Sequence, residues 1–258
     1  MKILVLGDPH GTIPTIKTDE FDAIICTGDF VPDEQLRKII FSSMRLGIDW
    51  QKSIPKRRLE QVLFEHKTAG WRVLTWLAKQ HKPVYLIPGN WDMMILGDKP
   101  FYGKRLTGTN LVDCDGCLVQ NKTFSIIGYG QTYGPELHET RNGKKPIKDK
   151  KYLLKLKQYD KLFARAKKSG KSTILLTHNP PFDTTLDKIR NKDSPANGKH
   201  IGSQLIRELI LKHKPAICIC GHMHENDGHV KLGKTDCINV GCLRAGYYYI
   251  LDLKSESK

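Results

Sequence analysis

The 258-residue sequence has no uninterrupted apolar segment that approaches the roughly 20 residues of a membrane-spanning helix. Its apolar N-terminal run is too short for a signal peptide and leads directly into polar residues. Internal repeats, low-complexity tails and linker-like segments are also missing. We therefore expect a cytoplasmic protein with no membrane association, folded as a single domain over residues 1–258.

The sequence contains seven cysteines, an odd number. Three cysteines lie in apolar segments that predict buried strands: Cys26, Cys218 and Cys220. We therefore expect reduced, buried thiols. Cys114 and Cys117 form a Cys-x-x-Cys pair, but the second pair of a structural zinc site is missing. Because Asp115-Gly116 between them is a strong turn signal, we interpret this stretch as a β-hairpin turn.

Acidic residues are outnumbered by basic ones, 27 against 42, which gives a net charge of +15. Much of the excess lies between Lys144 and Lys171. Tyr152, Tyr159 and Phe163 in this segment fall at helical spacing and predict a packed face. We interpret the lysines as the solvated face of a basic helix, and nucleic-acid binding through that face is the alternative.

Polar residues with metal-binding capacity follow five apolar segments. The segments are Met1–Leu6 before Asp8 and His10, Ala23–Thr27 before Asp29, Val84–Ile87 before Asn90, Thr173–Thr177 before His178, and Ala216–Cys220 before His222 and His224. Continuous apolar runs of this length are typical of strands covered by helices on both sides. Loops at the carboxyl ends of such strands build the site, so we expect these side chains to share a pocket.

Seven oxygen and nitrogen donors are too many for one ion and suit two. The set contains no cysteine, unlike many structural zinc sites, and its carboxylate, amide and imidazole ligands suit Mn²⁺, Fe²⁺, Co²⁺, Ni²⁺ or Zn²⁺. Two such ions about 3.5–4 Å apart can hold a bridging hydroxide and clamp a phosphoryl group for in-line attack. An aspartate can bridge them with one oxygen on each ion.

The remaining pattern predicts further elements and contacts. We expect helices over about 33–45, 55–81, 149–169 and 201–213. We also expect antiparallel strands over 111–119 and 123–128, in a hairpin or meander, and strands over 235–240 and 246–253. His66 lies on an apolar helical stripe and is interpreted as a core or boundary residue. The long polar loop over 129–148 carries His138 and Arg141 as candidate substrate contacts.

Five motifs together resemble the signature of the calcineurin-like metallophosphoesterases, especially of its small prokaryotic members. They are Gly7-Asp8-Pro9-His10-Gly11, Gly28-Asp29, Gly89-Asn90-Trp91-Asp92, Thr177-His178 and Gly221-His222-Met223-His224. The resemblance implies an α/β fold, a four-layer αββα sandwich with two mixed β-sheets. It also implies a metal-dependent phosphoric ester hydrolase acting on a small phosphate ester, with phosphodiesters favoured.

The same resemblance implies how two ions, Mn²⁺ first among the candidates, would be held. Asp8, His10 and His224 would bind one ion, Asn90, His178 and His222 the other, and Asp29 would bridge them. A hydroxide bridging the metals would attack phosphorus. Asp29, Asn90 and His222 are the residues expected to contribute most directly to catalysis.

One position departs from the family pattern. Many members have histidine directly after the asparagine, where this sequence has Trp91. An indole N–H donates a hydrogen bond but is no acid near neutral pH, so good leaving groups should be favoured or the proton must come from elsewhere. Packing at the pocket wall and stacking on substrate are both open for Trp91. Asp92 is expected to orient the neighbouring ligand.

Two other functions compete with a small-molecule esterase. The basic helix would suit a metal-dependent nuclease, although no separate nucleic-acid-binding domain is evident. A non-catalytic protein-binding scaffold with a degenerate site would be expected to have lost ligands, and all seven are present. The sequence does not define the oligomeric state.

Overall fold

The computed structural model of the chain describes residues 1–96, 109–130, 150–192 and 196–253. The described residues form five α-helices: α1 (Glu34–Arg45), α2 (Lys56–Ala78), α3 (Asn90–Leu96), α4 (Lys150–Lys168) and α5 (Gln204–His213). They also form eleven strands: β1 (Lys2–Leu6), β2 (Ala23–Cys26), β3 (Val84–Leu86), β4 (Leu111–Asp113), β5 (Leu118–Gln120), β6 (Phe124–Tyr129), β7 (Ser172–Thr177), β8 (Ile217–Cys220), β9 (Gly228–Leu232), β10 (Thr235–Asn239) and β11 (Tyr248–Asp252). Short 3₁₀ turns cover Trp50–Lys52, His224–Asn226 and Leu243–Ala245.

The strands form two mixed sheets. The first has the order β11-β1-β2-β3-β4, in which β11 is antiparallel and the other four are parallel. The second has the order β5-β6-β7-β8-β10-β9, with antiparallel strands β5 and β9 at its two edges. The predicted pair of mixed sheets is therefore confirmed.

Alternation along β1 shows how the layers are built. Leu4 and Leu6 pack in one cluster with Leu74 of α2, whereas Ile3 and Val5 pack in another with residues of the second sheet. Successive strand residues point to opposite faces, so a wholly apolar strand fills both interfaces. Full burial of each such side chain contributes about 1.5–3 kcal/mol.

Helices cover the outer face of the second sheet as well. Leu175 of β7 and Cys218 of β8 share a cluster with Tyr159 and Leu162 of α4 and with Leu209 of α5. The order of layers is therefore helix, sheet, sheet, helix, as the four-layer sandwich predicts. The aromatic side of α4 is buried, as expected, and its lysines at 151, 157, 161, 167 and 168 are exposed.

The predicted hairpin over residues 111–128 is wrong in one respect. Strands β5 and β6 do pair as an antiparallel hairpin, but β4 lies in the first sheet, parallel to β3. Cys114 and Gly116 form the turn by which the chain passes from one sheet to the other, and the N–H of Cys114 donates to the carbonyl of Leu86 at 2.9 Å. The Asp115-Gly116 pair correctly predicts a turn. That this turn connects the two sheets depends on packing against residues that are distant in the sequence.

The other elements largely follow the sequence. Helix α5 starts at Gln204 rather than Ile201 because the Ser203 hydroxyl caps it, accepting from the N–H of Ile206 at 3.0 Å. Strand β9 was not predicted. Most of the long loop, including His138 and Arg141, lies outside the described residues. Over the part that the structure describes, no helix is long and apolar enough to cross a membrane.

His66 occupies the buried face of α2, as the apolar stripe predicts. Burial lowers its pKa below the ordinary value of 6.5, although Asp33 and Glu65 raise it. The folded protein therefore takes up a proton here only at lower pH than the unfolded chain does. It follows that the contribution of His66 to stability is complete above pH 6.5 and is lost on acidification.

Replacing His66 with glutamine should lessen the loss of stability at acidic pH, because glutamine does not titrate. We expect the free energy of unfolding of the variant to rise relative to wild type as the pH falls from about 7 to about 5. Urea unfolding of both proteins, each stripped of metal, measures this difference. Parallel pH profiles would show that His66 does not titrate differently in the folded and unfolded states.

Candidate metal centre

All seven residues predicted as ligands converge on one site. The first sheet contributes Asp8, His10, Asp29 and Asn90 from the ends of β1, β2 and β3, whereas the second contributes His178, His222 and His224 from the ends of β7 and β8. The carboxyl ends of parallel strands in both sheets therefore open on the same pocket. The site therefore lies where the two sheets of the sandwich meet, and not at the edge of a single sheet.

The backbone at four of these positions adopts positive φ, a conformation uncommon for residues with a side chain. The φ values are 31° at Asp8, 46° at His10, 54° at Asp29 and 68° at His222. Such conformations cost of order 1–3 kcal/mol each and persist where the surrounding structure imposes them, often at functional sites. Here they turn the side chains inward directly after a strand.

One group of donors consists of Asp8, His10 and His224. His224 Nε2 lies 3.2 Å from Asp8 Oδ2 and 3.1 Å from His10 Nε2. The other carboxylate oxygen of Asp8 accepts the hydroxyl proton of Thr27 at 2.9 Å, and its Oδ2 also accepts the backbone N–H of His222 at 2.6 Å. The orientation of Asp8 is thus determined by neutral donors.

A second group consists of Asn90, His178 and His222. Asn90 Oδ1 lies 3.1 Å from both His178 Nε2 and His222 Nδ1, and these two nitrogens are 3.2 Å apart. The three atoms form a nearly equilateral triangle. The family resemblance assigns the same two sets of three residues to the two ions, and that assignment stays a prediction.

Asp29 lies between the groups. Its Oδ2 is 3.9 Å from His10 Nε2 and 3.5 Å from His178 Nε2, so one oxygen faces both. Its Oδ1 accepts the backbone N–H of Trp91 at 2.9 Å. The sequence suggested one carboxylate oxygen for each ion, whereas the structure turns Oδ2 alone toward histidines of both groups.

The donor set fits two cations. His10 Nδ1 lies 3.0 Å from the carbonyl of Val31 and His178 Nδ1 lies 2.8 Å from that of Thr27, which assigns the ring proton to Nδ1 in both. The Nε2 lone pair of His178 then faces the side-chain oxygen of Asn90 at 3.1 Å, and that of His10 faces His224 Nε2 at 3.1 Å. Ligand atoms that share an ion with bonds of about 2.0–2.2 Å lie about 2.8–3.6 Å apart, so a cation in each group would satisfy the opposed lone pairs.

The pKa shifts of these residues also favour the binding of cations. Burial lowers the pKa of His10 to about 4, and burial also lowers the pKa of His178 and of His222, so these imidazoles are neutral at pH 7 as metal ligands require. Burial, followed by the charges of Asp8 and Asp92, raises the pKa of Asp29 well above its ordinary value. Two carboxylates crowded among neutral imidazoles are an electrostatic environment in which a divalent ion binds favourably.

Glycines allow the loops to approach closely enough to form the cluster. A Cβ on Gly89 would overlap the carboxylate of Asp29, and a Cβ on Gly221 would overlap the carboxylate of Asp8 and the hydroxyl of Thr27. The glycines in the Gly-Asn and Gly-His motifs are therefore needed for space around the ligands rather than for local flexibility.

Asp92 orients the loops, in keeping with its expected role. Its Oδ1 accepts the N–H of Phe30 at 2.9 Å and of Val31 at 3.2 Å, and its Oδ2 accepts that of Gly89 at 2.9 Å. A single buried carboxylate thus ties the segment after β2 to the segment after β3. Burial raises the pKa of Asp92 to about 7, although these backbone donors lower it.

Trp91 packs into the wall of the site. Its side chain shares a cluster with Val31, Leu36 and Ile95 and is only 7% exposed. The same residue lines a cavity of about 910 Å³ that begins at Asn90 and His222. Both sequence interpretations, wall packing and contact with substrate, are compatible with this position.

Several neighbours of the cluster were not predicted from the sequence. The buried Asp33 carboxylate lies 3.8 Å from His10 Nδ1 and pairs with Arg37 at 2.8 Å and Arg244 at 3.1 Å. Although burial raises the pKa of Asp33, these three residues together lower it. The Cys242 thiol donates to the carbonyl of Asp8 at 3.3 Å, close to His10 and His224. Among these neighbours, only Asp33 could have been suspected from the sequence, because it closely follows the Gly28-Asp29 motif.

Comparison with known proteins gives consistent findings. The sequence model of the family described as calcineurin-like phosphoesterase matches residues 1–226. The uncharacterized protein MJ1162 of Methanocaldococcus jannaschii is 33% identical over 101 residues, which are 38% of this chain and 42% of that protein. The match thus spans less than half of this relative.

Solved structures share the fold at low identity. The protein TT1561 of Thermus thermophilus superposes with a TM-score of 0.58 and 17% identity, over 97% of this chain and 93% of that one. A dimetal phosphatase from Danio rerio superposes with a TM-score of 0.54 and 9% identity, over 94% of this chain and 88% of that one. At these identities the likeness concerns the fold alone.

Replacing Gly89 with alanine should displace Asp29 and weaken metal binding by about tenfold or more, the scale seen when groups that orient ligands are lost. Isothermal titration calorimetry with Mn²⁺ measures the effect. Gly170→Ala is the control for the added methyl group: nothing lies within 4 Å of its Cβ, and its φ of +67° makes backbone strain greater there than at Gly89. Wild-type affinity in Gly89→Ala would contradict the proposed spatial constraint.

Replacing Asp92 with asparagine should weaken metal binding about 10–100-fold and cost about 1–3 kcal/mol of stability, because the amide N–H₂ would oppose at least one backbone donor. Metal titration and urea unfolding measure the two effects. Asp236→Asn, at an exposed ion pair with Lys231, should change neither appreciably. Equal behaviour of the two variants would show that Asp92 does not hold the loops.

Proposed function

The chain belongs to the calcineurin-like phosphoesterase family, which implies divalent metal ions, and from this premise we propose that it is a metal-dependent phosphoric ester hydrolase. The observation that carries the proposal is the pair of donor groups linked by Asp29 Oδ2. Small phosphate esters are the substrates, with phosphodiesters favoured. The cytoplasmic location and the single-domain organisation stay predictions from the sequence.

Each ligand has a proposed role. Asp8, His10 and His224 would hold one ion, Asn90, His178 and His222 would hold the other, and Asp29 would bind both. Mn²⁺ is the first candidate, followed by Fe²⁺, Co²⁺, Ni²⁺ and Zn²⁺, because the donors are carboxylate, amide and imidazole. When bound, two such ions would supply an activated hydroxide as nucleophile and would neutralise charge on the phosphoryl oxygens.

The protein's own residues position these parts. The hydrogen bonds of His10 and His178 to backbone carbonyls fix the rings in orientation and tautomer. Asn90 and His222 lie both in the second donor group and on the wall of the adjoining cavity, so a phosphoryl group entering from the cavity meets these two residues first. Asp29, Asn90 and His222 are therefore the residues for which we propose the most direct catalytic role.

The proton for the leaving group does not come from Trp91, since indole is no acid at neutral pH. Good leaving groups, such as a phenolate, depart without it, and loss of general-acid help costs about 10²–10⁴-fold for poor ones. A diester is favoured because the cavity provides room for a second substituent on phosphorus.

The two alternatives have less support. Arg37 is the one lysine or arginine among the described residues that line the cavity, and α4 packs on the outer face of the second sheet, so the described residues form no basic track for a nuclease at the site. A scaffold without catalysis would not be expected to keep seven donors at ligand spacing.

Metal-stripped protein should regain hydrolysis of bis-p-nitrophenyl phosphate when Mn²⁺ is restored. Asp29→Asn and His178→Ala should each reduce turnover by about 100-fold or more, since loss of a direct ligand should exceed loss of an orienting neighbour. Release of p-nitrophenolate is the measurement, and p-nitrophenyl phosphate run in parallel gives the ratio of diester to monoester activity.

His229→Ala, at an exposed histidine outside the cluster, is the control and should retain wild-type turnover. If the wild type binds two ions and cleaves neither ester nor single-stranded nucleic acid, the hydrolase proposal is wrong. Cleavage of nucleic acid alone would favour the nuclease.

A further inference from the structure

The cavity beside the metal centre has an unusual lining. Ten of the fifteen described residues around its volume of about 910 Å³ are apolar, among them Phe41, Met44, Trp50, Trp91, Ile189 and Met223. The five polar ones are Arg37, Asn90, Asn191, His222 and Glu225. Asn90 and His222 belong to the metal centre itself, so the apolar space is continuous with the site of chemistry.

Helix α1 supplies one wall of this groove. Its lining residues Arg37, Ile40, Phe41 and Met44 follow the spacing i, i+3, i+4 and i+7, which defines one helical face. An apolar face of this kind normally packs into the core, yet Phe41 and Met44 are 53% and 56% exposed. The apolar stripe of α1 is thus directed at the groove.

Arg37 provides positive charge at the end of the groove that adjoins the metal centre. Its guanidinium is paired with Asp33 at 2.8 Å, and Asp33 lies 3.8 Å from His10 Nδ1, so Arg37 is held next to the metal cluster. The same guanidinium lies 6.0 Å from the centroid of the Trp91 ring. The groove therefore runs from a site suited to an anion into a region of hydrocarbon and thioether side chains.

The apolar lining of the groove determines which kind of ester group on phosphorus it can bind. A sugar or nucleobase would bury several donors and acceptors against Ile, Met and Trp side chains, where each unsatisfied group opposes binding. A hydrocarbon loses nothing there and gains from leaving water. Methionines, of which four line the groove, adapt their shape to flexible apolar ligands.

We propose that the groove is a substrate subsite, and that the enzyme acts on phosphodiesters in which one ester group is a large apolar hydrocarbon, such as an alkyl chain. The metal centre binds the phosphoryl group, Arg37 contributes positive charge beside it, and the hydrocarbon lies along α1 toward Phe41 and Met44. This inference rests on the proposed hydrolase function and adds the substrate class to it.

The test uses methyl, butyl and hexyl p-nitrophenyl phosphates with metal-loaded protein, each below its micelle concentration. Each fully buried methylene favours binding by about fourfold, which sets a ceiling of about 10³-fold for hexyl over methyl. Because the groove is partly exposed, we expect kcat/KM to rise about ten- to hundredfold from methyl to hexyl. Calorimetric binding of hexylphosphonate and methylphosphonate should show the same preference.

Two exposed phenylalanines provide matched variants. Phe41→Ser should reduce the hexyl-to-methyl ratio by about three- to tenfold. Phe64→Ser, at a residue of α2 that is 70% exposed and lies outside the groove lining, should leave the ratio as in wild type.

Three results would overturn the subsite. A hexyl-to-methyl ratio near one, with all three esters hydrolysed, would refute it and leave the hydrolase function intact. An equal loss of the ratio in both variants would show that the preference does not come from the groove. If no ester is hydrolysed, the proposed function fails, and equal binding of the two phosphonates would then refute the subsite independently.

Discussion

The crowding of buried polar atoms around Asp29 is the constraint on which the rest of this structure depends. Its carboxylate lies within 4 Å of imidazole nitrogens from both donor groups, in a region where burial raises its pKa well above the ordinary value. Acceptors held 3.1 Å apart repel unless a cation lies between them. The fold must therefore hold these loops together against that repulsion, and their arrangement follows from how it does so.

Three features of the chain hold the loops together. Asp92 ties the loops after β2 and β3 through three backbone N–H groups, and Gly89 and Gly221 allow carboxylates to lie against backbone. The two sheets, packed through residues such as Val5 and Leu176, keep the ends of their parallel strands side by side. Apolar packing between the sheets thus offsets the cost of assembling polar ligands, which is why the site lies where both sheets contribute.

Much of this was predictable because it depends on local sequence. The apolar runs that end at Asp8 or His178 specify both strand and ligand, and their convergence follows from parallel strands having a common carboxyl end. The passage of residues 111–119 between sheets was not predictable, because β4 is selected by pairing with Val84–Leu86 rather than by its own three residues. Arg37 was missed for a different reason: its ion pair with Asp33 is local, but only the fold brings Asp33 to within 3.8 Å of His10.

Trp91 links the metal centre with the choice of substrate. Its backbone N–H holds Asp29 Oδ1, so this position helps to orient the bridging carboxylate whatever its side chain. A histidine there would place a polar, protonatable ring against Val31 and Ile95, whereas indole extends an apolar wall from this cluster to the groove. The indole that stands in place of a general acid thus also supplies part of the apolar wall of the groove. With the proposed substrate, contacts along this wall would raise kcat/KM through binding, whereas the missing acid would still restrict the reaction to good leaving groups.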